Sequence, residues 1–183
     1  MEKLQKAYNK EVSQTSVYYM DLETMFPDPA VRALAAAAAK GKLAEVDRLI
    51  ADGVDVNAQG RSRGTPLFWA MANLEGFKRL LEHGADPNVI FVLGTSVVHT
   101  AAKFEDPSFL IAALSHGGDP NLVGGFRDQT PLFDACGSGP LAVATLLDAG
   151  ADPDVVDDQG YTAAMSAASR NFKRRWGSTK SVL

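Results

Sequence analysis

Apolar residues along the chain fall into short clusters that recur in step with one glycine. Four stretches line up: LIADGVDVN ending at Asn57, LLEHGADPN ending at Asn88, ALSHGGDPN ending at Asn121 and LLDAGADPD ending at Asp154. Their glycines, Gly53, Gly84, Gly117 and Gly150, lie 31, 33 and 33 residues apart. After a loop, each is followed by a second signal: GTPLFWAMA from Gly64, TSVVHTAAK from Thr95, QTPLFDACG from Gln129 and GYTAAMSAAS from Gly160. Two signals kept in phase at one period mark a stack of like units, each of which needs its neighbours to bury its apolar face.

The residues predict a pair of helices per unit. Thr65-Pro66 and Thr130-Pro131 suit a helix start, the hydroxyl accepting from first-turn amides and proline standing where no N–H is needed. Small residues such as Ala37, Ala38, Ala70, Ala101, Ala102 and Ala135 permit close approach of neighbouring helices. Leu80-Leu81, Leu110, Leu114 and Leu146-Leu147 supply the apolar stripe of the second helix, and the repeat glycine is its left-handed C-terminal cap. Asp28-Pro29 predicts that the first helix begins there and runs to about Lys40. Upstream, Val17, Tyr18, Tyr19, Met20, Leu22, Met25 and Phe26 are too apolar for a free arm and are expected to cover the exposed side of the first repeat.

These signals resemble the ankyrin repeat, whose period and TPLHxA signature they follow from about residue 30 to residue 170. The resemblance implies an all-α solenoid of about four full helix-turn-helix repeats plus a partial fifth. The expected divisions are an N-terminal arm or cap at 1–27, the repeat domain at 28–170 and a basic tail at 171–183. The first repeat lacks the TPL signature, and in the fifth the segment RNFKRRWGSTK stands in place of a second helix.

Proteins of this family mostly bind other proteins along a concave groove of loop tips and first-helix faces, and variable loops on a constant frame suit recognition. The resemblance therefore points to Arg61, Arg63, Trp69, Asn73, Phe91, Thr100, Lys103, Phe104, Phe126, Arg127 and Asp134 as partner-binding residues. Trp69 is expected to face away from buried Leu67 and Ala70, with Thr100 and Asp134 in the equivalent places. Phe91 belongs to the hydrophobic run Ile90 to Leu93, which either packs between loops or meets a partner. By resemblance, small acidic proteins of this type look bacterial and include immunity proteins that neutralise a secreted toxin such as a phospholipase by occluding its active site.

Composition narrows the alternatives. With 46% apolar and 22% charged residues, the chain is neither disordered nor a disulfide scaffold, since Cys136 is its single cysteine. A net charge of −4 argues against a general nucleic-acid binder. No run approaches the roughly 18 apolar residues that cross a bilayer. As it stands the sequence reads as cytoplasmic, or periplasmic if a leader peptide has been removed, and as a monomer when unbound. His83, His99 and His116 lack the spacing of a zinc site, CGSGP around Ser138 is not a nucleophile elbow, and Gly124-Gly125 is not a phosphate loop. Neither metal nor cofactor is expected, and the chain reads as a non-enzyme. The alternative function is a nucleic-acid or membrane-surface adaptor acting through Arg170, Lys173, Arg174, Arg175 and Lys180.

Overall fold

Each repeat glycine ends a helix in the same way. Gly53, Gly84, Gly117 and Gly150 have φ of 93°, 83°, 87° and 90°. The next residue's N–H reaches back to a carbonyl one turn and more upstream, as in Val54 to Leu49 (3.1 Å), Ala85 to Leu80 (3.0 Å), Gly118 to Ala113 (2.9 Å) and Ala151 to Leu146 (2.9 Å). This pattern satisfies the last carbonyls of the helix and turns the chain sharply out of it. The computed structural model describes residues 21–91, 94–125 and 127–176, with side chains to residue 169. Among them the fold is all-α, with only the isolated antiparallel bridges Gly124–Gln129 and Val156–Thr162.

The chain divides into two compact units, Met1–Val92 and Leu93–Leu183. The first contains α1 (Leu22–Met25), α2 (Pro29–Ala39), α3 (Leu43–Ala51), α4 (Pro66–Trp69), a 3-10 turn at Ala70–Ala72 and α5 (Leu74–Glu82). Asp28 caps α2, its Oδ1 accepting from the Ala30 N–H at 2.8 Å, with Pro29 first in the helix and Lys40 at its end. Helix α2 packs against α3, α4 and α5 over a core of Leu34, Ala35, Ala38, Val46, Leu67, Phe77 and Leu80. The approach of α5 to α2 is so close that a Cβ on Gly76 would overlap the Ala38 carbonyl. Leu22, Met25 and Phe26 pack on this unit, in a cluster with Val31 and Ala35. Val17 to Met20, expected to join them, lie outside the described residues.

The second unit contains α6 (Val97–Ala101), α7 (Ser108–Ser115), α8 (Pro131–Ala135), α9 (Pro140–Asp148) and α10 (Ala163–Trp176). Helices α6 and α8 lie side by side, each against its own second helix, over Val97, Val98, Ala101, Leu110, Ala113, Leu132, Phe133 and Leu146. The helices α4, α6 and α8 have only four or five residues, too short to persist alone, so burial rather than propensity holds them.

Three details depart from expectation. The Thr65 hydroxyl accepts from the Phe68 N–H at 3.3 Å, but Thr130 makes no such cap and its buried hydroxyl has no hydrogen-bond partner among the described residues. Leu147 is 44% exposed, because α9 turns Leu146 inward and the adjacent residue points elsewhere. Helix α10 runs 14 residues, carrying the backbone of Arg170 and of Lys173 to Arg175 in one continuous helix with the fifth repeat.

Candidate functional site

The loops between repeats are tied to one another by side chains at fixed register. In the first unit Asn57 donates to the Gly84 carbonyl at 3.0 Å and accepts from the Asp86 N–H at 2.8 Å. Asn121 repeats this in the second unit with the Gly150 carbonyl (2.9 Å) and the Asp152 N–H (2.7 Å). Each carboxamide thus serves as a clamp between consecutive turns.

A second set of bonds runs through the fingers of the second unit. His99 is buried, 1% exposed, with Nε2 3.1 Å from the Gln129 carbonyl. That carbonyl can only accept, so Nε2 carries the proton and Nδ1 is left to accept from the Ser96 N–H at 3.3 Å. The Ser96 hydroxyl in turn accepts from the His99 N–H at 3.4 Å, which completes a reciprocal cap of α6. The Gln129 side chain continues to the Asp157 Oδ2 at 3.1 Å, and Asp157 Oδ1 accepts the N–H groups of Gln159 and Tyr161, both at 3.0 Å. Burial lowers the His99 pKa, since water no longer stabilises the cation. For Asp157 burial acts upward, but the N–H of Tyr161, the Gln129 amide and the N–H of Gln159 outweigh it and hold the carboxyl below its ordinary value.

The residues expected to meet a partner fall into three groups. Arg61 and Arg63 in the first unit, and Lys103 and Arg127 in the second, are exposed. Asp134 and Phe104 are partly buried: Asp134 lies 3.7 Å from Lys103 Nζ, and Phe104 packs edge-on to Phe109 at 5.8 Å. Phe91 and Trp69 are also partly buried. Phe91 stacks edgewise on Phe68 at 4.5 Å, while Trp69 meets Phe26 at 6.5 Å and 78° and rests on the Met25–Phe26 cluster. Two residues are spoken for by the frame. Thr100 is 6% exposed, its hydroxyl donating to the Ser96 carbonyl at 3.0 Å, so the register shared with Trp69 and Asp134 does not give it their exposure. Asn73 caps α5, accepting from the Gly76 N–H at 3.0 Å. Phe126 lies outside the described residues.

A family model described as ankyrin repeats (3 copies) matches residues 98–174. The glycine turns and helix pairs of the first unit continue the same pattern from α2 onward. The chain carries ankyrin repeats. It is 33% identical over 161 residues to the palmitoyltransferase AKR1 of Lachancea kluyveri, an alignment that takes in 84% of this chain and 22% of that protein. It is also 33% identical over 121 residues to Protein PhlB of Serratia liquefaciens, covering 64% of this chain and 53% of that protein. The chain therefore spans about a fifth and about half of the curated relatives it matches.

Ankyrin repeats are typically protein-interaction modules. Among the described residues no cluster of three His, Cys, Asp or Glu side chains could hold a metal ion, and no helix is long and apolar enough to cross a membrane. Cys136 is half-buried at the end of α8.

Proposed function

We propose that the chain grips one protein partner without transforming it, through the exposed finger and first-helix residues of its repeats. The contacts are Arg61, Arg63 and Phe91 in the first unit, and Lys103, Phe104, Arg127 and Asp134 in the second. One observation carries this reading: Lys103 and Asp134, at the ends of two adjacent first helices, reach each other across the repeat boundary, so α6 and α8 offer one surface. The groups best suited to proton or nucleophile chemistry are engaged in the frame instead. His99 and Ser96 cap a helix, and Asp157 holds a turn.

The narrower reading is an inhibitor: an immunity protein that covers the active site of a bacterial secreted enzyme, such as a phospholipase, or blocks its docking to substrate. The likeness to Protein PhlB of Serratia liquefaciens supports it. The experiment is a titration of purified proteins encoded beside this gene against the full chain by calorimetry. Lys103→Glu and Phe104→Ala are expected to weaken the complex at least about tenfold, or ~1.4 kcal/mol, with the unfolding midpoint unchanged. Wild-type affinity in both variants would refute the surface. An enzyme bound tightly yet fully active would refute the inhibitor reading alone.

A further inference from the structure

The finger between Gln59 and Gly64 is stiffer than an exposed loop needs to be. The Gly60 N–H donates to the Gly64 carbonyl at 2.8 Å and closes the loop at its base. That base is seated on α1: a Cβ on Gly60 would overlap the Met25 carbonyl, and one on Gly64 would lie 2.6 Å from the Met25 sulfur. Above it, Ser62 and Arg63 both hold left-handed backbone, with φ of 59° and 60°.

The position two residues before the first-helix cap is left-handed in four successive repeats. Arg63, Gly94, Asp128 and Gly160 occupy it, with φ of 60°, 75°, 53° and 78°. Glycine adopts this backbone without steric cost, whereas a branched-out side chain is strained there. Arginine at such a place signals that the side chain itself is required.

The charges around it reinforce the point. Arg32, Arg48 and Arg79 each lie against a carboxylate, at 3.2 Å from Glu23, 2.8 Å from Asp52 and 3.4 Å from Glu82. Arg61 and Arg63 are exposed and meet no carboxylate among the described residues, although the chain carries 22 acidic side chains against 18 basic ones. Arg63 Nε donates instead to the Gln59 Oε1 at 3.3 Å, a neutral tether that orients the guanidinium and does not offset its charge.

We propose that this finger is a pre-organised grip for an acidic segment of the protein partner, with Arg61 and Arg63 each taking a carboxylate. The inference rests on the protein-binding reading above and adds the partner's chemistry to it. Guanidinium forks match carboxylates in a bidentate way, and a loop already held in shape loses little entropy on binding. A nucleic acid would offer phosphates to the same forks, but its affinity grows with the number of phosphates neutralised, and this finger supplies two arginines.

The test uses the full chain and fluorescein-labelled peptides by anisotropy, at low and at physiological ionic strength. Hexaglutamate is expected to bind and hexalysine not, with binding weakened by salt. Arg61→Ala and Arg63→Ala are each expected to weaken hexaglutamate binding about tenfold, and Arg63→Lys less than that, since it keeps the charge and loses the fork. Arg63→Gly should bind as poorly as Arg63→Ala while raising the unfolding midpoint by roughly 2–4 °C, because it relieves the left-handed strain. Wild-type binding in Arg63→Gly, a midpoint that stays or falls, or a single-stranded oligonucleotide binding more tightly than hexaglutamate would overturn the proposal. The two readings fail separately. If Lys103→Glu disrupts the natural complex while the arginine variants leave it intact, the grip is wrong and the helix surface stands. If hexaglutamate binding needs both arginines while Lys103→Glu leaves the complex intact, the reverse holds.

Discussion

Replacing His99 by phenylalanine isolates hydrogen bonding from packing. Phe68 and Phe133 occupy the same register in neighbouring repeats, so the ring volume is one this frame accommodates. The variant loses the Nε2 bond to the Gln129 carbonyl and the Nδ1 acceptor that faces both the Ser96 N–H and the Ser96 hydroxyl, the latter at 3.0 Å, and these are of unequal worth. The Gln129 carbonyl also accepts from the Gly124 N–H at 2.9 Å, so losing His99 Nε2 there costs only the net value of one hydrogen bond, ~1 kcal/mol. The Ser96 N–H sits in a residue with no exposed surface and accepts no substitute, which costs ~1–3 kcal/mol for the buried orphan. The sum is ~2–4 kcal/mol, read from urea unfolding followed by circular dichroism at pH 7.5.

The pH dependence gives a second reading of the same variant. Burial lowers the His99 pKa in the folded chain, while the unfolded chain keeps a value near ~6.5. Between the two values the unfolded state binds the extra proton, so the stabilisation from neutral His99 is complete above ~6.5 and declines as pH falls below it. His83 and His116 are common to both proteins, so the difference between wild type and His99→Phe carries the signal. That difference should shrink on acidification from pH 7.5 to 5.5. A loss under about 0.5 kcal/mol at pH 7.5, or a difference that stays constant with pH, would refute the assignment of His99 as a neutral donor–acceptor bridge.

Further outcomes follow from the packing. Gly76→Ala places a methyl group against the Ala38 carbonyl and forces α5 from α2, so a loss of ~1–3 kcal/mol or more is expected in urea unfolding; a neutral effect would show that the helices can part freely. Thr130→Val removes a buried hydroxyl with no hydrogen-bond partner among the described residues and should leave the unfolding midpoint unchanged or higher, a lower midpoint meaning that the hydroxyl has a partner.

Much of the frame was legible in the residues, because glycine caps and Asx or Thr-Pro starts act locally. Asp28-Pro29 located the start of α2, and the four glycines located the ends of the second helices, since only their immediate neighbours decide those conformations. What the spacing could not convey was rotation about a short helix. With four or five residues, α4 and α6 complete little more than one turn, so Trp69 and Thr100 share a register and differ in surroundings. Trp69 meets Phe26, from a segment outside the repeats, and Thr100 bonds its own helix's start. Thr130 likewise shares the Thr-Pro motif with Thr65 but makes no side-chain cap, a difference the motif does not encode. The unusual finger did carry a sequence signal: Arg63 stands where Gly94 and Gly160 stand in the aligned repeats.

The most direct measurement of the central claim is hydrogen exchange on the full chain with and without a bound protein. Protection is expected at 59–64, 101–105 and 127–134, the fingers and the first-helix surface. Protection concentrated on the second helices, at 43–51, 74–82, 108–115 and 140–148, with the fingers exchanging as in the unbound protein, would contradict it.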